Sequence, residues 1–516
     1  MSKLQKVFSE IKFRWIMGLK NTKRNTMARH ELSKSTFIRG IKCHKALYLN
    51  KHRKNLRDEI SAQQQAIFTQ GTNVGELACN LFPGGVDCTP DSFYDFEAAV
   101  EKTSQEIKKG TKIIYEAAFQ FNGVLAALDI LVKHDDGWRA YEVKSSTGVS
   151  ETYELDATIQ YYAITNSGID LKDISIVHID NTYVLDGELD VHQFFATVSV
   201  KERVLELLPG IPNQVAALKK VLKQDEVPEV EIGPHCNSPY GCDFAGHCWK
   251  HVPEYSVFDI KYARGLDWEL YKQGILKTTD IPDDYELNER HAIQINGDKN
   301  GTSIINKKAI NSFLSKIKYP IAHIDFETYM TAVPEYQGNR PYQFMCFQWS
   351  AHIQKSKDGE IVHKEYLAKE GTEPQEQFLI TLIEACKDAK TILVYNKGFE
   401  GGRLNSLAEQ FPKYASDIAS VLSKFVDLME PFQQKDYYLS SMRGSYSIKN
   451  VLPALVPSLS YKTLNIQEGG TASATFAALK HEKDADVVAQ TRKDLLAYCE
   501  MDTWAMVKLL EKLYEI

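Results

Sequence analysis

The sequence predicts an α/β protein built as two domains, and three observations carry that reading. The chain has 516 residues with 43% hydrophobic content, more than a single core usually serves. Residues 112–121, 124–134 and 138–145 read as strands around short turns, followed by helical periodicity at 151–166. A second αβ pattern begins at Tyr319, with strands expected at 320–328, 343–354 and 391–396 and helices at 374–388, 400–410 and 487–514.

The elements follow in order. Residues 1–30 form a basic extension without a signal-peptide core, and Met27 stands just ahead of the first confident motif as an alternative start. The first domain covers residues 31–255. Ser/Thr-rich residues open a helix at 31–55 that carries Cys43, and 61–85 is a second helix ending at the Pro83-Gly84-Gly85 turn. Residues 256–317 are polar and mixed, with turns expected at IPDD and NGDKNG, and read as a connecting segment. The second domain covers residues 318–516.

Every apolar run is far shorter than the roughly 20 residues a bilayer span needs, so a cytoplasmic protein with no membrane partner is expected. Net charge is −7 with a pI near 6.1. Any nucleic-acid contact must therefore come from a local basic groove. Nine cysteines in a reducing compartment are not expected to pair. Cys79, Cys346, Cys386 and Cys499 sit in apolar or helical surroundings and read as core, whereas Cys88 has no assignment.

Four other cysteines form a pattern. Cys43 is early, while Cys236, Cys242 and Cys248 form a tight late trio, so ligation of one metal centre would close a long loop around the first domain. Four thiolates suit a [4Fe-4S] cluster. Zinc is equally reachable, with His44, His235 or His247 able to replace one thiolate, and unligated core cysteines are the plain alternative.

Within that bracket lies the hairpin VLAALDILVKH-DDG-WRAYEVKSS. A tight turn centred on Asp136 and Gly137 pairs residue 135 with 138 and brings Asp129, Glu142 and Lys144 to one face. Two carboxylates and an ammonium suit phosphodiester hydrolysis: Asp129 and Glu142 as ligands of Mg²⁺ or Mn²⁺, Lys144 orienting water. A solvated strand face with an incidental Glu/Lys pair explains the same residues.

Leu128-Asp129 and Glu142-x-Lys144, with Gln160 and Tyr162 on the next helix, resemble the PD-(D/E)xK nucleases of the RecB-like group over residues 31–255. With Cys43, Cys236, Cys242 and Cys248 the likeness extends to CRISPR-associated and AddB-type iron-sulfur nucleases, which implies a structural cluster. Two features depart from it. The late cysteines are evenly spaced, and Gly75 stands where many relatives carry a metal-binding His, leaving Glu76 or Glu116 to supply an oxygen.

In the second domain, IAHIDFETY carries Asp325 and Glu327 two residues apart and hence on one strand face. Buried carboxylates side by side repel unless cations neutralise them. Tyr498 and Asp502 are stacked at i and i+4 on the last helix, and TILVYNKGFEGGRL presents Asn396, Phe399 and Glu400 after a strand. The order D-x-E, N-x-x-F-E, Y-x-x-x-D resembles the tyrosine subclass of DEDD exonucleases, which have an RNase H-like fold. That likeness implies two divalent ions on Asp325, Glu327, Glu400 and Asp502, with Tyr498 beside the attacking water. Glu400 departs from the usual Asp.

Asp427 reads as structural, and Lys449 as solvated or touching phosphate. Tyr336, Tyr342, Phe344, Phe347 and Trp349 read as strand core or as a surface that stacks bases. The combination of both halves resembles a bacterial family catalogued as a domain of unknown function. What the two likenesses imply together is a metal-dependent nuclease with a 3′ to 5′ exonuclease-like domain acting on DNA. A decayed nucleic-acid-binding scaffold and a ribonuclease are the alternatives.

Overall fold

Period-two alternation along residues 113–144 builds the centre of a seven-stranded sheet. A computed structural model describes residues 30–92 and 95–516, so the basic extension, apart from His30, lies outside the described residues. The first sheet comprises β1 (Leu32–Ser33), β2 (Val86–Asp87), β3 (Ile113–Phe121), β4 (Val124–His134), β5 (Gly137–Lys144), β6 (Leu171–Ile179) and β7 (Phe195–Ser199). Its order is β2-β3-β4-β5-β6-β7, with β1 added parallel to β4. Strands β3, β4 and β5 run as an antiparallel meander; β6 is parallel to β5. The crossover between β5 and β6 is helix Glu151–Asn166, capped by Ser150, whose hydroxyl accepts from the Tyr153 amide at 3.4 Å.

The hairpin register differs from expectation by two residues. His134 pairs with Gly137 and Ile130 with Tyr141, so the two-residue turn is Asp135-Asp136 and Asp129 stands across from Glu142. Neither turn residue has positive φ, which excludes type I′, and Gly137 takes the unusual φ of 149°. Because side chains alternate with period two, a shift of two leaves the face of every side chain unchanged.

The segment expected as one helix around Cys43 is two, Lys34–Lys42 and His44–His52, with Cys43 extended between them. Helix Ala62–Ala78 begins at Ser61, whose hydroxyl accepts from Gln64. The connecting segment is more structured than its polarity suggests. Helix Glu289–Asn300 runs straight through the expected NGDKNG turn and stops at Gly301, φ 64°. Val257, Ile260, Leu270, Ile281 and Ile295 form a small core of their own beneath it.

The second domain adds a two-stranded ribbon, β8 (Ile304–Ile305) with β14, and a five-stranded sheet of β9 (Ile321–Tyr329), β10 (Met345–Gln354), β11 (Ile361–Leu367), β12 (Thr391–Val394) and β13 (Phe425–Asp427); β14 is Tyr437–Tyr438. The five-stranded order is β11-β10-β9-β12-β13. Pairing is antiparallel across β11, β10 and β9 and parallel across β9, β12 and β13. The 30-residue helix Ala485–Tyr514, capped by Asp484, packs across β9 and β10. Strand β11 and the helices Ala415–Ser423, Ile448–Leu455 and Gly469–Leu479 were not expected from the pattern.

The halves meet through the loop after β9. Ala332 joins a buried cluster with Val74, Ala78 and Val177, and Leu185 exchanges backbone hydrogen bonds with Gly338 and Asn339. Tyr342 donates to the Ser145 carbonyl and accepts from Gln70. Among the described residues no helix is long and apolar enough to cross a membrane.

Candidate functional site

The carboxylates of the last domain converge. Asp325 and Glu327 alternate onto one face of the central strand β9, and helix Ala485–Tyr514 lays Asp502 across that face. Oxygens of Asp325, Glu327 and Asp502 lie within 4.8 Å of one another. Glu327 and Asp502 are buried. Burial and then mutual repulsion raise the Asp325 carboxyl, with Asp502 the charge that acts on it most, and raise Glu327 in the same way. Asp502 rises only to about 6, because the Tyr461 hydroxyl donates to its Oδ1 at 2.7 Å and Lys449 stands near.

Glu400 arrives from the other side of β9. Asn396, at φ 103°, turns the chain from β12 into helix Lys397–Gln410, and Asp427 accepts from the amides of Asn396 and Lys397 at 3.1 and 2.9 Å. Asp427 therefore holds the turn that presents Glu400, in line with a structural reading. Glu400 is outside the tight trio but close enough for its charge to act on Asp325. Its Oε2 is buried with no hydrogen-bond partner, and burial raises the carboxyl to about 8. An orphaned, ionisable oxygen beside three crowded carboxylates is what a divalent cation would satisfy.

Tyr498 is buried beside Asp502, and burial followed by its acidic neighbours keeps the phenol protonated. Gly469, at the start of helix Gly469–Leu479, borders the site: a Cβ there would make ordinary van der Waals contact, 3.7 Å from Glu327 Oε2 and 3.9 Å from the Tyr498 hydroxyl. Lys449 donates to the Gln467 carbonyl with its ammonium 5.3 Å from the Tyr498 ring centre. Tyr461 and Gly469 carry no local motif; long-range packing alone reveals them. Of the aromatic stretch, Phe347 and Trp349 are core, whereas Phe344 is 37% exposed with the Arg403 guanidinium 3.9 Å over its ring.

The first-domain constellation is assembled differently. Asp129 Oδ2 accepts from the Val143 amide at 2.6 Å. Glu142 is almost fully buried. Its Oε1 receives both Lys144, at 2.8 Å, and Lys34, and its Oε2 receives Gln160 at 2.7 Å. Lys144 also binds Asp156 Oδ2 at 2.7 Å, and Asp156 and Gln160 lie one turn apart on the helix face toward β5. Tyr162 turns away and receives Asn122. Burial opposes ionisation of Glu142, but Lys144 and Lys34 overcome it and hold the carboxyl at about 2. Asp129 is pushed up to about 8 by burial and by the Glu142 charge.

Lys34 and Asp156 were not expected here. Gly75 has open space around its Cβ position, and Glu76 is exposed. Glu116 falls between the pairs Tyr115–Ile130 and Ala117–Leu128, across from Asp129, at φ 52°. Glu142 therefore has two ammonium partners, whereas among the described residues Lys449 is the ammonium whose charge acts on Glu327 and Asp502. Replacing Glu142 by Ala would leave Lys34 and Lys144 buried with fewer partners. The expected result is a loss of about 3–5 kcal/mol in the first domain's urea unfolding, while the second-domain centre keeps its structure.

The four cysteines line one pocket with Lys42, Ala46 and Phe244. Cys43 caps helix His44–His52, its sulfur accepting from the Ala46 amide at 3.4 Å. The late loop is tied down beside them by Asp243, which Arg39 grips through two 3.0 Å bonds and Arg57 through Nε at 2.6 Å. Among the described residues no three of the four sulfurs come within 4.8 Å of one another.

With this geometry described, comparison with known proteins adds the following. A family model described as a domain of unknown function (DUF2779) matches residues 322–447, the stretch holding β9 to β13 with Asp325, Glu327 and Glu400. A protein of Ureaplasma parvum serovar 3, named "Uncharacterized protein UU173", is 24% identical over 280 residues, covering 50% of this chain and 40% of that protein. Among solved structures, the family B DNA polymerase of the archaeon Pyrobaculum calidifontis aligns at 14% identity and a TM-score of 0.24, over 38% of this chain and 24% of that one.

Proposed function

We propose that this chain is a nuclease that hydrolyses phosphodiester bonds in DNA with Mg²⁺ or Mn²⁺, and that the second-domain centre does the chemistry. The observation that carries the reading is the convergence of Asp325, Glu327 and Asp502 on one strand face, with the unpartnered Glu400 oxygen beside them. The strand order, three antiparallel then two parallel about a central strand bearing the acids, supports an RNase H-like fold. Ions held by Asp325, Glu327, Asp502 and Glu400 would supply Lewis-acid stabilisation of charge building on the phosphate oxygens.

The remaining groups are the chain's own. Tyr498, kept protonated and hydrogen-bonding to Asp502, would stand beside the attacking water. Tyr461 fixes Asp502 by its hydrogen bond, and Lys449 adds positive charge where a phosphate would lie. Changing Tyr461 to Phe should slow cleavage about tenfold, the loss of one hydrogen bond to a charged group, and move the acid limb of the pH–rate profile upward. A profile superimposable on wild type would remove Tyr461 from the account.

The first domain's meander, crossover helix and parallel β6 support a PD-(D/E)xK core, and Asp129, Glu142 and Lys144 are its expected site. Here Lys34 and Lys144 both donate to Glu142 Oε1, an oxygen a cation would need. We therefore assign this half to binding DNA and not to cutting it. For the cysteines, their shared pocket supports a structural metal centre, a [4Fe-4S] cluster with zinc as the alternative. Incubating the purified chain with end-labelled DNA and RNA of matched sequence in Mn²⁺ tests the reading. Shortening of DNA from its 3′ end is expected; cleavage of RNA alone would reassign the substrate, and no cleavage of either would end the proposal.

A further inference from the structure

The polar face of the five-stranded sheet continues past the carboxylates to its outer edge. His323, His352 and His363 stand in one cross-strand row on β9, β10 and β11. Over the outer pair lies Glu500, on the same helix as Tyr498 and Asp502. The His352 and His363 rings stack with centroids 4.6 Å apart, and ligand atoms of His352, His363 and Glu500 lie within 4.8 Å of one another.

Two hydroxyls hold both rings. Thr503 Oγ1 lies 3.1 Å from the Glu500 backbone carbonyl, 2.8 Å from His352 Nδ1 and 2.7 Å from Ser350 Oγ, and Ser350 Oγ lies 2.9 Å from His363 Nε2. When the imidazoles donate to these oxygens, His352 Nε2 and His363 Nδ1 are left as lone-pair donors, the state that metal-binding histidines acquire from such outer hydrogen bonds.

From this geometry we infer that His352, His363 and Glu500 form a zinc site, separate from the carboxylate centre, that pins the last helix to the sheet edge. Two imidazoles and one carboxylate suit zinc far better than magnesium, which prefers oxygen alone. Tetrahedral zinc needs ligand atoms about 3.4 Å apart, and His363 Nδ1 already stands 3.7 Å from Glu500 Oε1. Three protein ligands leave a fourth position for water. Since Glu500 lies between Tyr498 and Asp502, the site would also set where those side chains stand over β9.

Zinc titration of the full chain in excess Mg²⁺, read with a chelating indicator, tests this. Wild type should take up one more equivalent than Glu500→Gln and His363→Gln, or bind that equivalent at least about a hundredfold more tightly. Thr503→Val, which removes the outer hydrogen bonds and keeps the shape, should weaken it about tenfold. Any zinc held by the cysteines is common to all four proteins, and Co²⁺ marks it by its thiolate charge-transfer band. The Glu500 side chain is half exposed, so Glu500→Gln decides the matter even where His363→Gln fails to fold. Equal zinc uptake and affinity in wild type and Glu500→Gln overturns the site and leaves a plain His363–Glu500 ion pair.

Discussion

Asp325→Asn should lower DNA cleavage at least about a thousandfold, because losing one ligand of the central cation site removes several kcal/mol of charge stabilisation and each 1.36 kcal/mol is tenfold in rate. The same change should make the metal-free protein more stable, by about 1–2 kcal/mol, since it relieves repulsion among buried carboxylates. Opposite signs in activity and stability distinguish a site residue from one whose loss merely unfolds the chain. The pH dependence follows from the same crowding. Asp325 and Glu327 are raised well above their ordinary values, Asp502 to about 6 and Glu400 to about 8.

The folded state thus binds more protons than the unfolded chain, and stability falls as pH rises. The contribution is fully present below the unfolded carboxylate values of about 4 and is lost as pH climbs through about 6 to 8. Without divalent ions, the melting temperature of the second domain should drop across that window. Adding Mn²⁺ should restore it, with a thermal shift larger at the alkaline end. Asp325→Asn should flatten both trends.

The second large effect belongs to the cysteines. Cys43→Ser should unstaple the first domain, because a centre joining Cys43 to Cys236, Cys242 and Cys248 closes a loop of roughly 200 residues, and a cross-link over that span is worth about 5 kcal/mol by chain entropy. That is the scale of a whole domain's stability. Anaerobically purified wild type should be brown and carry iron; the variant should be colourless and melt earlier in its first transition. Cys79→Ser, outside the pocket, should keep the colour. A colourless wild type carrying zinc would replace the cluster by a mononuclear site, and unchanged melting in Cys43→Ser would leave the four as ordinary pocket residues.

What the sequence made legible divides along contact range. Strands β3, β4 and β5 were visible within a residue or two because alternation is local, and Asp325, Glu327, Tyr498 and Asp502 because strand and helix periods fix their faces. The hairpin register was missed by two, since the Asp135-Asp136-Gly137 sequence suits more than one turn and side-chain facing does not discriminate between them. NGDKNG was read as a turn, yet burial of Gln294, Ile295 and Gly297 overrides the weak helix propensity of Asn and Gly there.

The partners that set each site's charge balance were invisible. Lys34 reaches Glu142 across 108 residues, and Tyr461 reaches Asp502 across 41. No periodicity encodes such pairings. They change the reading materially: the expected trio Asp129, Glu142 and Lys144 is together, but Lys34 places a second ammonium on Glu142, while Asp325, Glu327, Glu400 and Asp502 remain further in excess of nearby positive charge.

That asymmetry is the centre of the account, and one paired assay addresses it. Wild type, Glu142→Gln and Asp325→Asn would be given the same end-labelled DNA with Mn²⁺, alongside binding measured in chelator. The prediction is that Glu142→Gln cleaves within about threefold of wild type, a change of under 1 kcal/mol, whereas Asp325→Asn binds DNA but does not cut it. Abolition of cleavage by Glu142→Gln, with Asp325→Asn as active as wild type, would contradict the account and assign the chemistry to the first domain.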